Sequence, residues 1–374
     1  MLLSDFNYHL PEDRIAQEQA VPRDSARLML INRVTQEISH HHIYDLPALL
    51  PKDYFIVANN TKVFPARIFG TKPTGGKVEI LLTQPLGQSR YKCIARPGLK
   101  VGDIILFPAP EGSDLEGSAQ PADSTAGRSD PTGLIATVIS VNEIERTIQF
   151  NQEESILRTT LSQIGTMPTP PYIKKLLGNS KDYQTIYAKY GFSAAAPTAG
   201  LHFTPDLLKQ IKGDLPAGKA GHSWNELTLN VGLGTFLPVK EKDIKDHHMH
   251  EESYTISPTT AEHIKSLKSF GQKLLSIGTT TMRALESNPK LAPGHNNTSI
   301  FMYPPYQFKL TDALMTNFHL PGSTLLMLVS AFCTYPNSKE KFTTFSDSLL
   351  GRAYQIAIQE KYRFFSFGDA MLII

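Results

Sequence analysis

The chain has 374 residues, 37 Lys+Arg against 35 Asp+Glu for a formal net charge of +2, a hydrophobic fraction of 41% and two cysteines. That length exceeds what one hydrophobic core usually spans, so two domains are expected, one inserted into the other, and the apolar content excludes a disordered chain. Cys93 and Cys333 each stand alone, which excludes a disulfide framework or a thiolate zinc site and fits a reducing compartment.

In chain order, the opening MLLSDFNYHLPEDR has no apolar stretch of the kind a secretory signal needs. From Lys62 to Lys100 eight basic residues stand against one acid, Glu79, a local excess of +7 that the whole-chain balance conceals. The same stretch predicts short strands (KVEILLT, RYKCIAR, DIILFP), with LIATVISV and RTIQF following and no helix between them. Closely spaced strands of that kind predict a small antiparallel barrel of roughly 80 residues. Ala109 to Gly133, with five acids and one Arg among Gly, Ser, Pro and Ala, predicts a mobile acidic loop, and 213–224 a second loop.

The remainder alternates helix and strand. Thr204 and Pro205 predict a capped helix start before LKQIK. Strand LTLNV, helix AEHIKSLKSF, strand KLLSI and helix MRALES follow, then an apolar helix from Ser323 and a final helix and strand ending FFSFGDAMLII. The apolar run from Leu325 to Phe332 falls far short of the ~20 residues that cross a bilayer, so a cytoplasmic protein with no membrane partner is expected. The predicted fold class is α/β: a mixed α/β core made by 1–66 and 152–374, with an antiparallel β-barrel inserted at 67–151.

Several segments carry chemistry. APTAGLHFTPDLL (196–208) sets Thr198, Gly200 and His202 before a capped helix, where backbone N–H groups can face an anion beside a titratable ring; a turn with His202 on a local carbonyl is the alternative. LNVGLGTF (229–236) puts Gly232, Gly234 and Thr235 after a strand. The third glycine of a dinucleotide fingerprint is missing and no helix follows, so close approach to a nucleoside or sulfonium, or a plain tight turn, is left. In HHMHEESYTI (247–256), strand alternation places His248, His250 and Glu252 on one face, which suits acid/base work by a carboxylate–imidazole pair better than a metal.

SIGTTTMRALES (276–287) offers Thr279 and Thr280 at a helix start, as ligand donors or as ordinary caps. TNFHLPGST (316–324) offers Asn317 and His319. YIKKLLGNSKDYQTIYAKYGF (172–192) interleaves Lys174 and Lys175 with Tyr172, Tyr183, Tyr187, Tyr190 and Phe192, which suits a surface that tracks a nucleic-acid backbone and stacks bases; a core-facing Tyr stripe is the competing reading.

These blocks, with NNTKVFPARIFG (59–70), YQTIYAKYG (183–191), TDALMTNFHLPGSTLLMLVSAF and YRFFSFGDAMLI, resemble the S-adenosylmethionine:tRNA ribosyltransferase-isomerase family of queuosine biosynthesis over nearly the whole chain. One position departs: Asn230 stands where the family usually has His. The resemblance implies that S-adenosylmethionine donates its ribosyl group to the aminomethyl nitrogen of 7-aminomethyl-7-deazaguanine at the tRNA wobble position, giving epoxyqueuosine, adenine and methionine. S-adenosylmethionine is then a consumed substrate, no cofactor or metal is needed, and a monomer with tRNA as its partner is expected.

Such chemistry needs one or two bases, for which His202, His250 with Glu252, and His319 are candidates. Thr279, Thr280, Asn60 and Thr61 are candidates for the ribose hydroxyls, and Arg67 and Arg283 for the methionine carboxylate or an RNA phosphate. Lys77, Lys92 and Arg96, with Lys174 and Lys175, are the expected tRNA contacts. The competing functions are an S-adenosylmethionine-dependent RNA methyltransferase and a non-catalytic RNA-binding protein.

Overall fold

A computed structural model describes residues 1–108, 133–175, 179–214, 221–232 and 239–374. The first leg of the chain runs through β1 (Arg27–Ile31), β2 (Ile38–His42), the short helix α1 (Leu46–Leu49), β3 (Tyr54–Asn59) and β4 (Thr61–Val63). The middle leg carries β5 (Arg67–Thr71), β6 (Lys77–Gly87), β7 (Arg90–Arg96), β8 (Ile104–Leu106), β9 (Ile135–Asn142), β10 (Glu145–Phe150) and α2 (Glu154–Ile164). The last leg carries β11 (Tyr190–Ser193), α3 (Pro205–Lys212), β12 (Trp224–Leu229), β13 (Glu252–Ile256), α4 (Pro258–Ser269), β14 (Lys273–Ile277) and α5 (Thr279–Glu286). It ends with β15 (Gly294–Thr298), β16 (Ala313–Asn317), α6 (Thr324–Cys333), α7 (Leu349–Gln359) and β17 (Ala370–Ile373). Among the described residues no helix is long and apolar enough to cross a membrane.

Two compact units result. One holds 1–62, 170–191 and 195–374, the other 63–169 with 192–194. In the larger unit nine strands form one sheet in the order β15-β13-β12-β3-β14-β16-β17-β1-β2. Its centre, β12-β3-β14-β16, is parallel, and antiparallel pairs flank it. A central parallel strand is covered on both faces, which explains why β3, YFIVAN, is buried throughout. Alternate residues accordingly enter different cores. Tyr54, Ile56 and Ala58 of β3 join Ala313 and Met315 of β16 and Leu207 of α3, while Phe55 and Val57 join Leu229 and Ala284. Leu314 and Met371 pack on the opposite side with Val329 of α6 and Ala353 of α7.

The smaller unit is a closed barrel, β10-β7-β6-β5-β8-β9, whose strands alternate inward and outward as RYKCIAR does. Its core includes Tyr91, Phe107 and Phe150 together with Leu157 and Leu161 of α2. Helix α2 therefore belongs with the barrel, outside the 67–151 span expected from sequence. Glu154 fixes its start by accepting from Tyr91 Oη at 2.8 Å and from the Ser89 amide at 2.9 Å. The predicted acidic loop lies, apart from Gly133, outside the described residues, as do 215–220 of the second predicted loop.

One buried carboxylate positions β16. Glu286, at the end of α5 and 3% exposed, accepts from three successive amides, Lys309 at 2.8 Å, Leu310 at 3.0 Å and Thr311 at 2.9 Å, just before that strand begins. Hydrogen bonds to a charged acceptor are among the stronger ones, and their loss leaves three buried donors unsatisfied. Glu286→Ala is expected to lower unfolding stability by about 3 kcal/mol or more in urea titration; a loss below about 1 kcal/mol would show that the amides find other partners.

Candidate active site

In an open α/β sheet, ligands bind beyond the carboxyl ends of the parallel strands. The larger unit has a cleft of that kind, enclosing about 720 Å³ with open solvent included. Its lining comes from the segment after β14 (Gly278, Thr279, Thr280), the end of β16 (Thr316 to Leu320), Val231 after β12, and the turn Ala195 to Ala199. Tyr172 and Ser366 close it, hydrogen-bonded to each other at 2.8 Å. Gly278 makes the bend from β14 into α5 at φ +85, a conformation that glycine adopts without strain.

Asn317 holds the site together. It is 2% exposed; its Oδ1 accepts from Thr198 Oγ1 at 3.0 Å, and its Nδ2 donates to Phe365 O at 3.1 Å and to His202 Nε2 at 3.2 Å. A carbonyl can only accept, so the Phe365 contact fixes which end of the amide is nitrogen. Nε2 of His202 must then carry a lone pair, and the imidazole is the neutral Nδ1–H form. Burial, assisted by the positive fields of Arg363 and Arg23, pushes the His202 pKa down to about 3, against an opposing hydrogen bond to the Arg23 backbone.

His319 is likewise neutral. Burial pushes its pKa down to about 3. Its ring Nε2 lies 3.0 Å from Thr316 Oγ1, its amide donates to Tyr354 Oη at 2.9 Å, and its carbonyl accepts from Tyr8 Oη at 2.5 Å. An imidazole whose conjugate acid is that strong is a weak proton acceptor near neutrality, and both rings serve better as uncharged hydrogen-bonding groups.

Of the residues picked from sequence, Thr198, Thr279, Thr280, Asn317 and His319 line this cleft, and His202 stands behind Asn317. Thr280 Oγ1 accepts from Asn59 Nδ2 at 3.3 Å, which leaves its own proton available, and no described residue engages the Thr279 hydroxyl. Gly200 is a packing requirement, since a Cβ there would meet Tyr187 Oη at 2.1 Å. Asn60 is committed to β12, donating to Glu226 at 3.1 Å and accepting from Thr228 at 2.6 Å. Thr61 donates to Asn230 Oδ1 at 3.2 Å, and Asn230 donates on to Ser253 at 3.0 Å. Gly234 and Thr235 lie outside the described residues.

Three expectations need correction. His250 and Glu252 do not pair, because β13 begins only at Glu252 and strand alternation does not extend back to the histidines. His250 is exposed, whereas Glu252 is 4% exposed, accepts from the Gly232 amide at 3.0 Å and forms a buried ion pair with Arg283. The tyrosines of 172–192 are no stacking surface: Tyr183 and Tyr187 are buried, Tyr172 lines the cleft, and only Tyr190, 67% exposed, faces out. Lys174 and Lys175 are exposed, Lys175 beside Glu18.

The barrel's +7 is also partly neutralised. Arg67 pairs with Glu79 at 3.2 Å, Lys72 with Asp103 at 2.8 Å and Lys92 with Glu145 at 3.6 Å, leaving Lys62, Lys77, Arg96 and Lys100 as exposed cations without an ion pair among the described residues. Sequence reasoning missed Asn59, whose Oδ1 accepts from the Leu229 amide at 3.0 Å and whose Nδ2 donates to the Leu229 carbonyl at 3.0 Å and on to Thr280. Asn59 precedes the pair Asn60–Thr61, and its burial at the end of an all-apolar strand was the available signal. Ser366 was missed too; nothing in FFSFGDAM marks that serine as pocket-lining.

A family model described as queuosine biosynthesis protein matches residues 3–373. The chain belongs to that family. A Desulforamulus reducens protein named S-adenosylmethionine:tRNA ribosyltransferase-isomerase is 43% identical over 381 residues, covering 100% of both chains. A Fusobacterium nucleatum protein of the same name is 43% identical over 378 residues, 99% of this chain and 96% of that one. The crystal structure of S-adenosylmethionine tRNA ribosyltransferase from Thermotoga maritima aligns at TM-score 0.52 and 31% identity, covering 99% of this chain and 100% of that one.

For this member of the queuosine biosynthesis family, the two neutral histidines set an acid limit. The folded chain protonates them only near pH 3, while the unfolded chain does so near 6.5. Between those values the unfolded state binds more protons, so stability is fully present above 6.5 and declines as pH falls through the window. Replacing His319 with Gln should flatten the stability–pH curve in that window by up to about 1.4 kcal/mol per pH unit, read by urea unfolding. An unchanged slope would place the acid sensitivity elsewhere.

Proposed function

We propose that the chain transfers and isomerises the ribosyl group of S-adenosylmethionine onto 7-aminomethyl-7-deazaguanine at the wobble position of tRNA, releasing adenine and methionine. The observation that carries this beyond family membership is the cleft itself: neutral polar groups, Thr198, Thr279, Thr280, Asn317 and an uncharged His319, at the carboxyl ends of β14 and β16. A sulfonium is a cation, and a protonated imidazole there would repel it. Depressed histidine pKa values keep the walls uncharged while their lone pairs and N–H groups remain usable. The Thr279 and Thr280 hydroxyls and the unpaired amides at the start of α5 suit the ribose oxygens.

The chemistry balances without another reactant. The sulfonium acidifies its neighbouring C5′–H; loss of that proton allows the ribose to open and adenine to depart. The aminomethyl nitrogen attacks as a neutral amine, methionine leaves as a neutral thioether, and the sulfonium charge is discharged as one net proton, which passes to solvent. A desolvated cleft favours the neutral amine. Lys77 and Arg96 on the barrel are the cations proposed to meet RNA phosphate. The protein is further proposed to act as a cytoplasmic monomer that uses no metal or cofactor.

The test is to incubate precursor-bearing tRNA with S-adenosylmethionine labelled either in the methyl group or in the ribose. Ribose label in RNA with adenine release is the expected result; methyl label in RNA would replace this reading with a methyltransferase, and binding without either label would reduce the protein to an RNA binder. In the same assay Arg96→Gln should raise KM for tRNA with a shallower salt dependence, leaving KM for S-adenosylmethionine unchanged. An identical salt slope would remove the barrel from RNA binding.

A further inference from the structure

Arg283 is 2% exposed, and only its Nη1 is engaged, donating to Glu252 Oε2. Its Nε and Nη2 are buried and have no hydrogen-bond partner among the described residues. A buried guanidinium with three of its five N–H donors unmet is costly to keep, and a site kept at that cost is commonly one a ligand completes. Nε and Nη2 together form the side-on edge of the guanidinium, the edge that takes a carboxylate through two parallel hydrogen bonds.

The helix geometry places Arg283 behind the cleft wall, on the face of α5 that carries its lining threonines. Thr279 and Thr280 line the cleft, and Arg283 follows them by four and three residues, on the same face of α5. Long side chains on a helix lean back over the preceding turn, here towards those threonines. Glu252, the counterion, is held by the amide of Gly232, next to Val231 on the cleft wall. The ion pair is thus bracketed by cleft-lining residues on two sides.

We propose that the Nε–Nη2 edge of Arg283 receives the α-carboxylate of the amino-acid tail of S-adenosylmethionine, and that Glu252 is a positioning residue that holds the guanidinium rather than a proton carrier. This rests on the functional reading above. Deep burial suits the end of a small molecule, which can enter a cleft, over a phosphate in an RNA backbone. The arrangement also sorts the substrate's charges: carboxylate to the buried Arg283, sulfonium to the neutral walls.

Binding of S-adenosylmethionine and of its decarboxylated analogue to the full-length protein, measured by calorimetry, tests this. The wild type is expected to prefer the carboxylated form by roughly 10- to 100-fold, the range for paired charge-assisted hydrogen bonds. Arg283→Gln combined with Glu252→Gln, which removes both charges and leaves no unpaired ion, is expected to bind the two compounds within a few-fold of each other. Equal binding by the wild type, or preference retained in the double variant, would overturn the assignment of Arg283 alone. Failure of the wild type to bind either compound, with tRNA present, would instead overturn the functional reading. Should the double variant not fold, Arg283→Lys keeps the charge but not the edge, and it must lose most of the preference for the proposal to stand.

Discussion

The carboxamide of Asn317 is the constraint on which the site depends. It sits at the last residue of β16 and joins the turn bearing Thr198 and His202 to the segment bearing Phe365 and Ser366. A buried amide can satisfy itself in few ways, and here its acceptor and donors are all used. That fixes the tautomer of His202, and with it a cleft wall that carries hydrogen-bonding capacity without charge. Aspartate would have the shape but would set a carboxylate oxygen against the Phe365 carbonyl, a buried repulsion where the amide makes a hydrogen bond.

Charge is handled differently elsewhere in the larger unit. The buried Glu252–Arg283 pair keeps one cation available while its net contribution remains zero, and Glu286 spends its charge on three backbone amides. Buried ion pairs seldom add stability beyond what apolar packing would give. Their retention at such a place is better explained by what the guanidinium can hold. On the proposed reading, the site divides into a neutral region for a cationic sulfonium and a countered cation, Arg283, for an anion.

Much of the fold was legible in the sequence, for identifiable reasons. Barrel strands alternate cleanly because one face is solvated, and Thr204 and Ser323 announce their helices by the capping chemistry that the structure shows. Strand β5, with Gly70 as its penultimate residue, and helix α2 were less evident; α2 packs on the barrel through only Leu157 and Leu161 as buried residues, too few to mark its allegiance. Among site residues, those on sharp turns after strands were found because Gly, Thr and His there have few structural uses. His250 and Glu252 were misjudged because a periodicity of two was extended beyond the strand. The tyrosines of 172–192 were misjudged because an aromatic between lysines has the same local pattern whether it stacks a base or fills a core; only burial separates the two.

The central claim is that the cleft at the ends of β14 and β16 receives S-adenosylmethionine. Hydrogen exchange followed by mass spectrometry, with and without that compound, addresses it most directly because it requires no variant and reads the whole chain at once. The account predicts slowed exchange in peptides spanning 195–202, 278–283 and 316–319, with the barrel strands at 90–106 unchanged. Protection confined to the barrel, with those three segments unaffected, would contradict it.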